Sequence, residues 1–133
     1  MLLEKELLRI FKSLLQSDVA QIAVDGNDIT VRVFDDNSML AFCTQVYFGG
    51  NFIPKSVRDS LSRKAPFTRD HVKSFFTVDE QNYLIYLNYI GKIDGLNNEA
   101  FSLLLEDFSW LADEWRFHLD EHDKNDLVHV RVK

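Results

Sequence analysis

The sequence contains one long segment without Gly or Pro, Asn97-Asn-Glu-Ala-Phe-Ser-Leu-Leu-Leu-Glu-Asp-Phe-Ser-Trp-Leu-Ala-Asp-Glu-Trp-Arg-Phe-His-Leu-Asp120. Asn97 or Asn98 can cap its first turn, and Glu99 suits the positive end of a helix dipole, so the segment predicts a long helix. Apolar residues recur at helical spacing and predict one face that covers a core. These residues are Phe101, Leu104, Leu105, Phe108, Leu111, Ala112, Trp115 and Leu119.

A second apolar stripe lies on the opposite side of the same predicted helix. Leu103, Trp110 and Phe117 recur at every seventh position, between acidic residues such as Glu106 and Asp113. A helix that is apolar on two opposite faces cannot bury both against one small sheet. The second stripe therefore indicates contact with another chain or with another layer of the same fold, and of these we predict a dimer interface formed by Leu103, Trp110 and Phe117.

Length and composition predict a single soluble domain over residues 1–133. The chain is 46% hydrophobic and 13% aromatic, which is enough for one core. It has no apolar run of about 18 residues and no basic-then-apolar leader, so we expect neither a membrane span nor a secretion signal. Cys43, the one cysteine, lies in an apolar alternating run and is expected to be a buried thiol in a reducing cytoplasm.

The net charge of −6 is unevenly distributed. Residues 1–66 carry eight Lys or Arg and eight Asp or Glu, whereas residues 67–133 carry seven and thirteen. An acidic surface disfavours phosphate backbones, so direct binding of nucleic acid is not expected. The charge suits solubility or a basic partner.

The N-terminal segment, residues 2–16, also predicts an amphipathic helix. Its apolar face is formed by Leu3, Leu7, Ile10 and Leu14. Leu8, Phe11 and Leu15 widen that face to one side. These three residues either complete the core or line a groove for another protein, and the pattern alone leaves both open.

In the middle of the chain, apolar and polar residues alternate, which is typical of β-strands. Asp- and Asn-containing turns separate the runs, and a short helix follows Pro54. The predicted order is helix, three strands, short helix, two strands, long helix, which defines an α+β domain with an antiparallel sheet of about five strands. Residues 127–133 alternate as well and predict an edge strand or a mobile tail. The predicted middle elements are strands 20–24, 29–33 and 39–48, a helix at 56–64, and strands 71–78 and 83–90.

Few residues suggest a catalytic, metal-binding or phosphate-binding role. The sequence has no phosphate-binding loop, no zinc-type cysteine pair and no nucleophile elbow. Glu114, His118 and His122 are spaced by four and can be read either as metal ligands or as a hydrated polar edge, and the second reading is favoured. Acidic pairs such as Asp79-Glu80 fall mostly in predicted turns, where Asp stabilises the backbone locally. We therefore predict no catalytic residue, no metal and no cofactor.

Two segments resemble a known family. The run Asp25-Gly-Asn-Asp-Ile-Thr-Val-Arg-Val-Phe-Asp-Asp-Asn-Ser-Met-Leu-Ala-Phe42 resembles the hairpin of class I type III secretion chaperones of the CesT or Tir chaperone type. The run Ala100-Phe-Ser-Leu-Leu-Leu-Glu-Asp-Phe-Ser-Trp-Leu-Ala-Asp-Glu-Trp115 is similar to that family's last helix. The resemblance implies a dimeric cytoplasmic protein that binds a segment of a secreted effector, in largely extended form, and keeps it competent for export without hydrolysing ATP.

The resemblance also implies where the effector binds. Members of the family offer hydrophobic grooves on the first helix and the sheet, which favours Leu8, Phe11 and Leu15 as effector-binding residues. Pairing is expected with a second copy or with a related chaperone. Residues 49–54 and the tail after Asn125 depart from the family pattern. The alternative is a YbjN-like or chaperone-type regulator that sequesters a transcription regulator or a signalling protein with the same surfaces.

Overall fold

A computed structural model describes residues 4–62 and 72–132 of the chain, with side chains for residues 5–62 and 72–121. Three helices and five strands form this part of the chain. In order they are α1 (Glu4–Ser17), β1 (Val19–Val24), β2 (Asn27–Phe34), β3 (Met39–Phe48), α2 (Lys55–Ser60), β4 (Ser74–Asp79), β5 (Leu84–Lys92) and α3 (Asn98–Val132).

The strands form one antiparallel sheet in the order β1-β2-β3-β5-β4. The predicted α+β class and element order are confirmed. Strand β5 lies between β3 and β4, so its backbone is hydrogen-bonded on both edges. A register shift between Gln45 and Tyr47 in β3 marks a β-bulge, beyond which both Val46 and Tyr47 are buried.

The β2–β3 turn is built from left-handed residues. Asp35, Asp36 and Asn37 have φ angles of 55°, 54° and 66°, a region that short polar side chains tolerate better than most. The backbone N–H of Ser38 donates to the Asp35 carbonyl at 3.1 Å, and the Ser38 carbonyl accepts from the Ile93 N–H at 3.0 Å. The turn is thereby joined to the chain that leads from β5 into α3.

Helices α1 and α3 cover one face of the sheet. All eight residues predicted for the core face of α3 are buried, as are Leu7, Ile10 and Leu14 of α1, while Leu3 lies outside the described residues. Aromatic rings join the layers: the Phe42 ring in β3 lies 5.9 Å from Phe101 and 5.4 Å from Phe108, measured between centroids. The apolar face of α3 therefore covers the core on one side of the sheet.

The segment between β3 and α2 contains a position that has no room for a side chain. A Cβ on Gly49 would collide with the Phe52 carbonyl oxygen, so this close approach requires glycine. Helix α2 begins at Lys55, directly after Pro54, and packs against α3 through Val57. It starts one residue earlier than predicted and ends at Ser60, so the predicted helix was wrong at residues 61–62, which form a turn; residues 63–64 lie outside the described residues.

Strands β4 and β5 are shifted from their predicted bounds. β4 begins at Ser74 instead of residue 71, which lies outside the described residues. Asp79 pairs with Leu84, so the hairpin loop is residues 80–83, with Tyr83 left-handed at φ 58°. Because Asp favours turns, the sequence predicts Asp79 in the hairpin loop. In the structure Asp79 pairs with Leu84, and this pairing extends β4 through Asp79.

Residues 127–133 were predicted as an edge strand or a mobile tail, and the edge-strand alternative is contradicted over residues 127–132. Helix α3 continues to Val132 and spans 35 residues. The physical reason is that residues 121–126 contain no Gly or Pro, and adding a residue to an existing helix costs far less than starting a new element. Even so, no helix in the described part of the chain is apolar enough over sufficient length to span a membrane.

Candidate functional site

An apolar groove opens between the end of α1 and the sheet. It encloses a cavity of about 320 Å³, and we call it the α1 groove. Its walls come from α1, β2, β3, the β2–β3 turn and the start of α3. The lining residues are Phe11, Leu14, Leu15, Val33, Asn37, Leu40, Ile93, Leu96 and Phe101.

The side chains of α1 are graded in depth across this groove. Leu14 and Leu40 are buried at its base. Phe11 is half-buried and packs on Phe101, with ring centroids 5.4 Å apart. Leu15 is 86% exposed at the mouth, where it is in contact with water unless a partner covers it. The groove therefore has buried apolar side chains at its base and an exposed apolar side chain at its edge.

The structure brings together two of the three residues predicted to bind an effector. Phe11 and Leu15 line the groove, whereas Leu8, 62% exposed, lies outside its lining. Leu8 and Leu15 share one side of α1 because seven residues make almost two helical turns, about 10 Å along the axis. Sequence reasoning missed Ile93 and Leu96, which join the groove from the β5–α3 connection.

The outer stripe of α3 is partly exposed. Leu103 and Phe117 are 55% and 67% exposed, while Trp110 between them is half-buried and packs against the core. Two large apolar side chains thus face away from the core on the same side of the helix, about 21 Å apart along its axis. Their role as a dimer interface stays a prediction.

A polar cluster joins α3 to the β1–β2 hairpin. The Asn27 amide, 1% exposed, donates to Ser109 Oγ at 2.8 Å and to Asp113 Oδ1 at 2.9 Å, and its oxygen accepts from Arg116. The Arg116 guanidinium also donates to the Gln45 carbonyl at 2.6 Å. This cluster satisfies buried polar groups that would otherwise be costly, and it fixes α3 over the sheet.

The second face of the sheet is not covered by a helix of the described chain. A shallow depression of about 210 Å³ lies there over Cys43, with the exposed side chains of Phe75 and Ile90 at its edge. Cys43 was predicted to be buried but is half-buried on this open face. Burial still raises the pKa of its thiol, although the nearby Arg32 acts in the opposite direction.

The polar candidates from the sequence have structural roles where the structure describes them. The His118 ring packs edge-on against Trp115, 5.5 Å away, and the His122 side chain lies outside the described residues. No cluster of three potential metal ligands occurs among the side chains that are described. The Asp79 carboxylate accepts hydrogen bonds from the Asn82 side chain and backbone, which lower its pKa and stabilise the hairpin loop.

Solved structures with a similar architecture include a type III secretion chaperone. A chain in the structure of the ExsC-ExsE complex matches with a TM-score of 0.61 and 17% identity, over 90% of this chain and 97% of that one. The Yersinia pestis type III secretion chaperone SycH, solved in complex with a stable fragment of YscM2, matches with a TM-score of 0.52 and 11% identity, over 80% and 94%.

The protein therefore has the fold of type III secretion chaperones, as the sequence resemblance predicted. Neither protein-family models nor curated protein sequences give a match to the chain. The likeness is one of backbone architecture.

Proposed function

We propose that the protein is a type III secretion chaperone that binds a segment of a secreted effector in the bacterial cytoplasm and keeps it competent for export. The observation that carries this proposal is the α1 groove. Leu15 is almost fully exposed and adjoins an apolar cavity, and together they form a concave apolar surface of the kind that a partner segment covers.

The effector segment lies in the α1 groove and continues along α1 over Leu8. Apolar anchors of the segment enter between Phe11 and Leu96, where the base of the groove is already formed by buried side chains. Affinity then comes from burial of apolar surface, at about 25 cal/mol per Å², and little conformational entropy is lost by the chaperone.

Replacement of Leu15 by serine is expected to weaken effector binding at least about tenfold while leaving stability nearly unchanged. An exposed leucine contributes little to the fold, yet its burial by a partner is worth roughly 1.5–3 kcal/mol. Affinity is measured by co-purification from bacterial extract, identification of the bound protein, and titration of that protein. The bound protein's identity separates a secreted effector from a transcription or signalling protein.

The matched control is Phe52→Ser. Phe52 is 61% exposed in the β3–α2 connection, and it does not line the α1 groove. Binding should be unchanged in this control. Equal affinity of the Leu15→Ser variant and the unmodified protein would remove the groove from the proposal. Phe11→Asp is a poorer test, because Phe11 also packs on Phe101 in the core.

The outer stripe of α3 is the second surface in this proposal. Leu103 and Phe117 pair with the same residues of a second copy, or with a related chaperone, and Trp110 supports them from the core side. Symmetric pairing through one helix is the commonest arrangement that buries such a stripe. Pairing would place two α1 grooves on one particle and so allow two contacts with one effector.

A further inference from the structure

The segments that form the mouth of the α1 groove are rich in acidic side chains. Asp35 and Asp36 precede the lining residue Asn37 in the β2–β3 turn, and both are exposed. Asp94 lies between the lining residues of the β5–α3 connection, and it is also exposed. These carboxylates reach solvent around an opening whose interior is apolar.

The same segments contain fewer cations. Exposed Asp18 follows α1 and exposed Glu99 lies in the first turn of α3, which brings the acidic side chains to five. Lys12 and Lys92 are the two basic residues in these segments, residues 11–18, 33–40 and 92–101, and both are exposed. The three segments that contribute lining residues to the groove therefore carry a net charge of −3, from five acidic and two basic residues.

The C-terminal end of α1 adds to this negative potential. The helix ends at Ser17, beside Leu14 and Leu15 of the groove, and its last turn contains no basic residue. Terminal carbonyl groups of a helix carry a partial negative charge that attracts cations. At this end the Leu14 carbonyl accepts a hydrogen bond from the Asp18 N–H at 2.9 Å, which places acidic Asp18 directly at the helix terminus.

We infer that the α1 groove, in the proposed function given above, selects a partner segment with an aliphatic or aromatic anchor flanked by lysine or arginine. The anchor fills the apolar cavity, and the flanking cations lie over the acidic mouth. An acidic segment with the same anchor is disfavoured by like charges. A second copy of this chain is a poor occupant, because its exposed apolar side chains Leu103 and Phe117 lie on a helix with acidic neighbours such as Glu106 and Asp113 and lack flanking lysines.

The test uses two labelled peptides with the same leucine and valine anchors, one flanked by lysines and the other by glutamates. Binding to the full-length protein is measured by fluorescence polarisation in about 0.05 M and about 0.5 M salt, since the higher salt shortens the screening length severalfold. The lysine peptide is expected to bind about tenfold more tightly in low salt, and the difference should shrink in high salt.

The double variant Asp35→Asn/Asp36→Asn tests the mouth directly. Asparagine tolerates left-handed backbone as well as aspartate does, so the turn should keep its conformation. Affinity for the lysine peptide should fall about threefold to tenfold. The control is Asp25→Asn/Asp28→Asn, which removes the same charge from exposed positions at the opposite end of β2, where Asp25 is also left-handed.

The outcomes separate this inference from the proposed function. If both peptides bind equally and Leu15→Ser abolishes binding, the inference of selection by charge is wrong, but the α1 groove remains the proposed binding site. If neither peptide binds, or Leu15→Ser has no effect, the assignment of the α1 groove as the binding site is wrong. Loss of peptide binding at rising protein concentration would show that a second copy occupies the groove, which overturns the inference.

Discussion

Replacement of Asn27 by leucine is expected to lower the free energy of unfolding by about 3 kcal/mol. The Asn27 amide is almost completely buried and bonds Ser109, Asp113 and Arg116 at once. Leucine has the same number of side-chain heavy atoms and the same branching at Cγ, but it leaves all three groups without that partner. Urea unfolding followed by tryptophan fluorescence measures the change, because Trp110 and Trp115 lie on the helix that the cluster holds.

The cost arises mainly from the groups that remain. Ser109 Oγ still donates to the Val24 carbonyl at 2.9 Å, and Arg116 still reaches the Gln45 carbonyl and Asp113. Arg116 and Asp113 are partly exposed, so water replaces part of what they lose, whereas the buried Ser109 Oγ does not recover its donor; three hydrogen bonds are nevertheless lost together. The loss should therefore exceed the ordinary net value of about 1 kcal/mol.

The matched control for this variant is Asn88→Leu. Asn88 lies on the open face of the sheet, and its amide donates to Thr77 Oγ at 3.0 Å in a position that solvent reaches. Stability should change by less than about 1 kcal/mol. A loss as small for Asn27→Leu as for this control would show that the cluster does not hold α3 in place.

Much of this fold could be predicted because its segments are periodic. The core face of α3 follows from the spacing of its apolar residues, and every one of the eight is buried. The bounds of β3, Met39–Phe48, also follow from its run of Phe, Val, Tyr and Thr. Turn positions follow from Asp, Asn and Gly, which tolerate left-handed backbone.

The parts that could not be predicted depend on the tertiary arrangement. Asn27 was placed in a turn as an ordinary polar residue, because nothing nearby in sequence shows that Ser109 will lie beside it. Helical periodicity also predicts a core face and an opposite stripe on α3. It does not show that the Trp110 side chain packs against the core while Leu103 and Phe117 are exposed. The bulk of the tryptophan ring allows it to reach past the helix edge.

The α1 groove shows the same limit. Leu8, Phe11 and Leu15 were grouped by their helical spacing, which carries no information on which of them faces a cavity. The other wall of the groove comes from Ile93 and Leu96, about eighty residues later in the chain. Helical periodicity identifies surplus apolar surface, and the three-dimensional fold decides which part of it becomes a pocket.

The double variant Leu103→Glu/Phe117→Glu is expected to convert a dimer into a monomer. Each exposed side chain is worth about 1.5–3 kcal/mol when buried, and a symmetric interface buries two from each copy. Four added carboxylates also repel each other across such an interface. We expect the dissociation constant to rise at least about a thousandfold, which corresponds to roughly 4 kcal/mol.

Light scattering coupled to size-exclusion chromatography gives the mass, which should fall from twice 15.5 kDa to 15.5 kDa. The control is Leu8→Glu/Phe52→Glu, which adds the same charge at exposed apolar positions outside the stripe and should leave the dimer intact. Because both target side chains are more than half exposed, the variant should remain folded by circular dichroism. A double variant that keeps its dimeric mass, or an unmodified protein that is already a monomer, would contradict self-pairing through α3.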